Sequence, residues 1–135
     1  MSKTQEKLFK RNIERLQDAK VEVSLFIDPN LDSVKKSKEL GATSIELHTG
    51  PYAISYESNN YQNEFKKLVD AASLAKDLSL KVNAGHGLNY KNLQQILRLP
   101  YLNELNIGHA IIAESVFIGL DDAIKKIKRI IDNSD

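Results

Sequence analysis

Four short runs rich in apolar and β-branched residues are separated by stretches whose apolar residues recur at helical spacing. The runs are VEVSLFI (21–27), ATSIELHTG (42–50), LKVNA (80–84) and LNELNI (102–107). This alternation constrains the fold more than any other feature of the chain. Antiparallel strands can be joined by a tight turn, but parallel strands need a crossover of a dozen or more residues, which a helix supplies. Strands and helices in alternation therefore predict an α/β fold with a parallel sheet and right-handed crossovers.

The segments between the runs support this order. A leading helix is predicted over 4–19, with Phe9, Ile13 and Leu16 as its apolar stripe. Asp28-Pro29-Asn30 stops the first strand, because proline has no N–H to give a ladder. A short helix over 32–40 follows, with Leu31, Val34 and Leu40 apolar and Gly41 in the left-handed position that ends it. The stretch PYAISYESNN (51–60) is polar and aromatic and reads as a loop. The clearest helix carries Phe65, Leu68, Val69, Ala72, Ala75 and Leu78 on one face. Asn89 caps a helix over Leu93, Ile96 and Leu97 that Pro100 ends. Residues 110–117 and 120–132 are helical, the second with Ile124, Ile127, Ile130 and Ile131 as its buried stripe. The chain reads as one domain over 1–135, a leading helix (1–19) followed by four βα units (20–135).

At 135 residues with 41% hydrophobic content, the chain has enough apolar mass for a core. Lys+Arg 19 against Asp+Glu 18 leaves a net charge of +1, which gives no electrostatic reason to expect nucleic acid or an anionic membrane as partner. There is no cysteine, so disulfides and thiolate metal sites are excluded, and a reducing compartment fits. The opening MSKTQEKLFKRNIERL is too polar for a secretion signal, and no apolar run approaches the ~20 residues of a membrane span. The expectation is a cytoplasmic globular protein.

Each strand runs directly into polar residues or glycine: Asp28, then His48-Thr49-Gly50, then Gly85-His86-Gly87, then Gly108-His109. In parallel α/β folds these strand ends share one rim, where the chemistry sits. All three histidines, His48, His86 and His109, fall on it. A single histidine after a strand is ordinarily a loop residue or a satisfied polar group, and three together on one rim weigh equally for a site. They could reach one zinc ion, but no two have helical ligand spacing and there is no HExxH pattern, so no metal is expected. Gly85 and Gly87 would let a ligand approach the backbone closely. Gly108-His109 runs into a helix, whose first amides can cradle phosphate, although a plain tight turn explains it equally well. In SIELH, Glu46 and His48 share one face and Ile45 and Leu47 the other. A carboxylate inside a covered parallel sheet is costly unless it is paired or belongs to a site, the alternative being an edge strand with Glu46 in water. Asp28 is read as the initiator of the Asp-Pro-Asn turn.

Together, VSLFIDP, IELHTGPYA, LKVNAGHGLNY and ELNIGHAIIAESVFIGL resemble the bacterial pyridoxine 5'-phosphate synthase family, in order and spacing, from about Val21 to Ile131. The resemblance implies a (β/α)8 TIM barrel. It implies condensation of 3-amino-2-oxopropyl phosphate with 1-deoxy-D-xylulose 5-phosphate to pyridoxine 5'-phosphate, phosphate and water, without metal or redox cofactor. It assigns His86 as a catalytic proton donor, Gly87 as a backbone contact to substrate, and Gly108 and His109 as the phosphate-binding turn. Glu46 becomes a carboxylate of the active site, and Thr49 and Gly50 shape the same rim. The proton transfers of ring closure call for acids and bases that titrate near working pH, and histidine is suited to that.

The family barrel has eight strands and this chain has four, which the resemblance makes strands five to eight, the C-terminal half. A second catalytic histidine, a catalytic glutamate and arginine contacts of the family have no counterpart here. The alternative function is a catalytically inactive phosphate-binding half-barrel that needs a missing N-terminal half. Four strands of a barrel leave two open edges and, as expected here, an apolar inner face. Such edges and faces recruit partners, so a homo-oligomer or pairing with the missing half is expected.

Overall fold

A computed structural model describes residues 2–133. The element order is α1 (Lys3–Asp18), β1 (Ser24–Ile27), α2 (Leu31–Glu39), β2 (Ser44–His48), α3 (Gly50–Glu57), α4 (Gln62–Asp77), β3 (Lys81–Gly85), α5 (Leu93–Ile96), β4 (Leu102–Asn106), α6 (His109–Ile118) and α7 (Leu120–Asp132). The four strands form one parallel sheet in the order β1-β2-β3-β4. The predicted α/β alternation and all four strands are present, with β1 and β4 as the open edges.

Local chemistry sets the ends of the elements. Ser2 and Gln5 form a reciprocal capping box at the start of α1. Asn30 caps α2 by accepting from the Ser33 amide at 2.8 Å, and Gly41 follows that helix at φ +89, as expected of a glycine past a helix end. The segment read as a loop at 51–60 instead contains α3. Pro51 sits in its first turn, where the missing N–H costs nothing. Tyr52 is fully buried and ties the helix down by donating its hydroxyl to the Asn92 carbonyl at 2.7 Å. The helix predicted to begin at Asn89 is shorter. Asn89 Oδ1 accepts from the amides of Lys91 and Asn92, capping a turn, and only the single turn α5 follows.

Registers Glu46↔Asn83 and Asn83↔Glu104 separate the two faces of the sheet. Ile45, Leu47, Val82 and Ala84 point to one face and are buried under α4, whose Leu68, Ala71, Ala72 and Ala75 pack on the sheet. Alanine at three of those positions lets helix and sheet approach closely. Val34, Tyr52, Leu93, Ile96 and Ile127 complete the core.

The expected stripes are only partly covered. In α1, Ile13 alone is buried, beside Gly41, while Phe9 and Leu16 are exposed. In α7, Ile127 and Ala123 are buried and Ile124 is exposed. The inner face of the sheet is also not apolar as expected. Strand alternation gives it Glu46, His48, Asn83 and Asn106, with Phe26 as its large exposed apolar side chain. The apolar surface lies on α6, which buries no residue and leaves Val116 78% and Phe117 84% exposed. Among the described residues, no helix is long and apolar enough to cross a membrane.

Candidate active site

The β3–α5 connection begins with two successive left-handed residues, His86 at φ +81 and Gly87 at φ +79. For a residue with a Cβ this conformation costs about 1–2 kcal/mol, so something must hold His86 there. Thr49 does so from the end of β2. Its hydroxyl lies 2.7 Å from both the Gly85 and His86 carbonyls, and its amide donates to Gly85 O at 2.9 Å. Thr49 is wholly buried. Asn92, also buried, braces the far side by donating from Nδ2 to Gly87 O at 3.0 Å and accepting from the Asn89 amide.

The two glycines beside His86 answer to protein neighbours before any ligand. A Cβ on Gly85 would stand 2.2 Å from Glu46 Oε1, and one on Gly87 would stand 2.9 Å from the Cβ of Ala53. Gly85 therefore makes room for the Glu46 carboxylate, whose Oε2 accepts from Asn106 Nδ2 at 2.8 Å. The edge-strand reading of Glu46 does not hold, because β2 lies between β1 and β3. At Gly108, by contrast, a Cβ would meet nothing within 4 Å. The first turn of α6 has no side-chain cap, so its first amides are left without a side-chain acceptor.

A cleft of about 680 Å³ opens at this rim, lined among others by Glu46, His86, Gly87, Asn106, Gly108 and His109. Five of the residues singled out in the sequence thus meet around one space: Glu46, His86, Gly87, Gly108 and His109. Thr49 and Gly50 do not line it. Thr49 supports the His86 turn from below, and Gly50 lies under the rings of His48 and His86. Asp28 is more than a turn residue. Its carbonyl accepts from the Asn30 amide, while its carboxylate reaches His48 Nδ1 at 3.2 Å. Among the described residues no three His, Asp or Glu side chains are grouped to hold a metal ion.

Sequence reading missed Asn106, Asn92 and Phe26. Asn106 had a usable signal, since it is the penultimate residue of LNELNI, at the end of the strand following the one that ends beside His86. Asn92 had none, since an asparagine in a polar loop reads as a turn former.

These features define a class: a parallel α/β half-barrel with an imidazole, a carboxylate and an uncapped helix start gathered at the C-terminal ends of its strands. The chain belongs to the PdxJ family, whose model, described as "Pyridoxal phosphate biosynthesis protein PdxJ", matches residues 1–133. It is 47% identical over 122 residues to the pyridoxine 5'-phosphate synthase of Sulfurihydrogenibium sp. (strain YO3AOP1), covering 90% of this chain and 50% of that protein. The proteins of the same name from Coxiella burnetii (strain RSA 493 / Nine Mile phase I) and Magnetococcus marinus (strain ATCC BAA-1437 / JCM 17883 / MC-1) are 45% and 48% identical. They cover 94% and 87% of this chain and 53% and 49% of their own lengths. The chain spans about half the length of these curated relatives and forms half of the family's TIM barrel.

Proposed function

We propose that this chain supplies strands five to eight of a pyridoxine 5'-phosphate synthase and is active once a complementary half closes the barrel. The reaction is condensation of 3-amino-2-oxopropyl phosphate with 1-deoxy-D-xylulose 5-phosphate, by acid–base catalysis, to pyridoxine 5'-phosphate, phosphate and water. The observation that carries this reading is the meeting of His86, Glu46 and the Gly108–His109 helix start around one cleft.

Each group has a role that its setting supports. The His86 imidazole, held over the cleft by a braced turn, donates protons to leaving oxygen atoms. Glu46, oriented by Asn106, presents a fixed negative charge where cationic imine character develops. Phosphate binds against the backbone at Gly108, where the space is open and the helix start favours an anion. Gly87 offers a backbone contact, and His109 at the start of α6 adds a second imidazole beside the phosphate. Several proton transfers of the ring closure remain for groups on the other half, so the open sheet edges and the activity are completed together.

The test is complementation. The 135-residue chain is mixed with the separately expressed strand-one-to-four half of the Sulfurihydrogenibium relative, and product is measured from both substrates. The chain alone should give no useful turnover, and the mixture should. In the mixture, His86→Asn should lower the rate by about 10²–10⁴ while phosphate binding persists. Robust turnover by the purified chain alone would overturn the half-barrel reading, and full activity in His86→Asn would overturn the assignment of the acid.

A further inference from the structure

The His86 imidazole has no hydrogen-bond partner among the described residues, so its direction is set by packing alone. The ring in closest aromatic contact with it is that of His48, which meets it edge-on with centroids 4.8 Å apart at 72°. Phe26 leans on both, 5.1 Å from His48 and 6.3 Å from His86. Gly50 makes this contact sterically feasible. A methyl there would lie 2.6 Å from His48 Nε2 and 3.0 Å from His86 Cδ2. His48 is itself anchored, with Nδ1 3.2 Å from Asp28 Oδ1. An ionised carboxylate can only accept, so this contact makes Nδ1 the donor and leaves Nε2 toward Gly50 and His86.

The geometry points to Asp28 and His48 as a positioning pair for His86. Asp28 selects the tautomer and ring plane of His48. His48, clamped between Phe26 and the bare backbone of Gly50, then sets the angle at which His86 faces the cleft. Neither member of the pair lines the cleft. The pair deepens the proposed function and rests on the reading of His86 as the proton donor. The Asp28 side chain is 74% exposed, so it contributes little to stability and can be altered without endangering the fold.

The experiment has two arms. In the first, the 135-residue chain is labelled with ¹⁵N and its imidazoles are observed by multiple-bond ¹H–¹⁵N NMR above the pH at which they are protonated. Neutral His48 should be mainly in the Nδ1–H form, opposite to the preference of a solvated histidine side chain. Asp28→Ala should move it toward Nε2–H and shift the His86 ring resonances, and Asp28→Glu should restore both. In the second arm, kinetics are measured in the completed barrel. Asp28→Ala and Gly50→Ala should each lower kcat about tenfold to a hundredfold, as expected for sub-ångström misplacement of a reacting group, with KM for both substrates within about twofold. Asp28→Glu should recover most of the rate.

The Nε2–H form in the unaltered chain, or His86 resonances indifferent to Asp28→Ala, would overturn the pair. So would normal kcat in both Ala variants. If the unaltered completed barrel makes no product, the synthase reading fails, and the imidazole spectra still decide whether Asp28 orients His48 and His48 orients His86.

Discussion

Replacing Gly85 by alanine adds one methyl group at the point where β3, Glu46 and β4 come closest. The new Cβ would stand 2.2 Å from Glu46 Oε1, 2.9 Å from Asn106 Cβ and 3.0 Å from Asn106 O. These contacts yield differently. Glu46 is the end of a flexible chain and can swing aside, losing its 2.8 Å hydrogen bond from Asn106. That bond is partly solvated, so its loss costs about 0.5–1 kcal/mol. Asn106 Cβ and O belong to the paired strand, since Gly85 and Asn106 are register partners, and they move only if β4 moves. Overpacking of that kind costs about 1–3 kcal/mol. Against this, alanine restricts the unfolded chain and returns about 0.4–1 kcal/mol. The net destabilisation is about 2 kcal/mol, roughly a 30-fold shift in the unfolding equilibrium.

Urea denaturation followed by circular dichroism measures it, and a cycle with Glu46→Ala isolates the cause. Without the carboxylate one of the clashes disappears, so Gly85→Ala should cost about 0.5–1 kcal/mol less in that background. A Gly85→Ala chain within about 0.5 kcal/mol of the parent would refute the claim that the glycine exists to seat Glu46 against β4. An identical cost in both backgrounds would refute it equally.

Thr49→Val keeps the shape of a buried residue but removes the hydroxyl beside the Gly85 and His86 carbonyls. It should cost about 1–3 kcal/mol, or very roughly 4 °C of melting temperature per kcal/mol, and an unchanged melting curve would show that the left-handed turn holds without it. Burial, with the Tyr56 and Tyr61 hydroxyls alongside, pushes the Tyr52 hydroxyl well above the ordinary 10.0. Alkaline titration at 295 nm should therefore find Tyr52 the last of the five tyrosines to ionise. The raised value favours the protonated form in the folded chain, so this contribution to stability is complete below pH 10 and declines as pH rises beyond it, where the unfolded chain ionises first. Ionisation of all five tyrosines by about pH 12 in a chain that is still folded would contradict the burial of Tyr52, since ordinary phenols are fully ionised there.

The strand–helix alternation was legible because a parallel strand covered by helices must be apolar on that side, and Ile45, Leu47, Val82 and Ala84 satisfy this within short, clearly bounded runs. Helix α3 was not legible. Its proline, serine and tyrosines carry no helical stripe, and what makes it a helix is the long-range seat of Tyr52 on Asn92. The rim was legible because strand ends in such folds share a side, so His86, Glu46 and Gly108 could be grouped before any coordinates existed. The meaning of the glycines was not. Gly85 read as a place for a ligand, yet its neighbour is a carboxylate held by a side chain 60 residues further along the chain. Local sequence does not encode distances of that kind. For the same reason Asp28, read as a turn former, gave no sign that its other role lies with a residue 20 positions away.

Strand order equals chain order, β1-β2-β3-β4, so each strand is hydrogen-bonded only to strands next to it in the sequence. Sheets that interleave distant strands must hold early segments unpaired until late ones are made. Here each strand after β1 meets a neighbour already in place as it leaves the ribosome, and the sheet can extend in the direction of synthesis. The same order grades its resistance to amide exchange. The β2–β3 pair, flanked on both sides, should open last, while β1 and β4 fray from the margins.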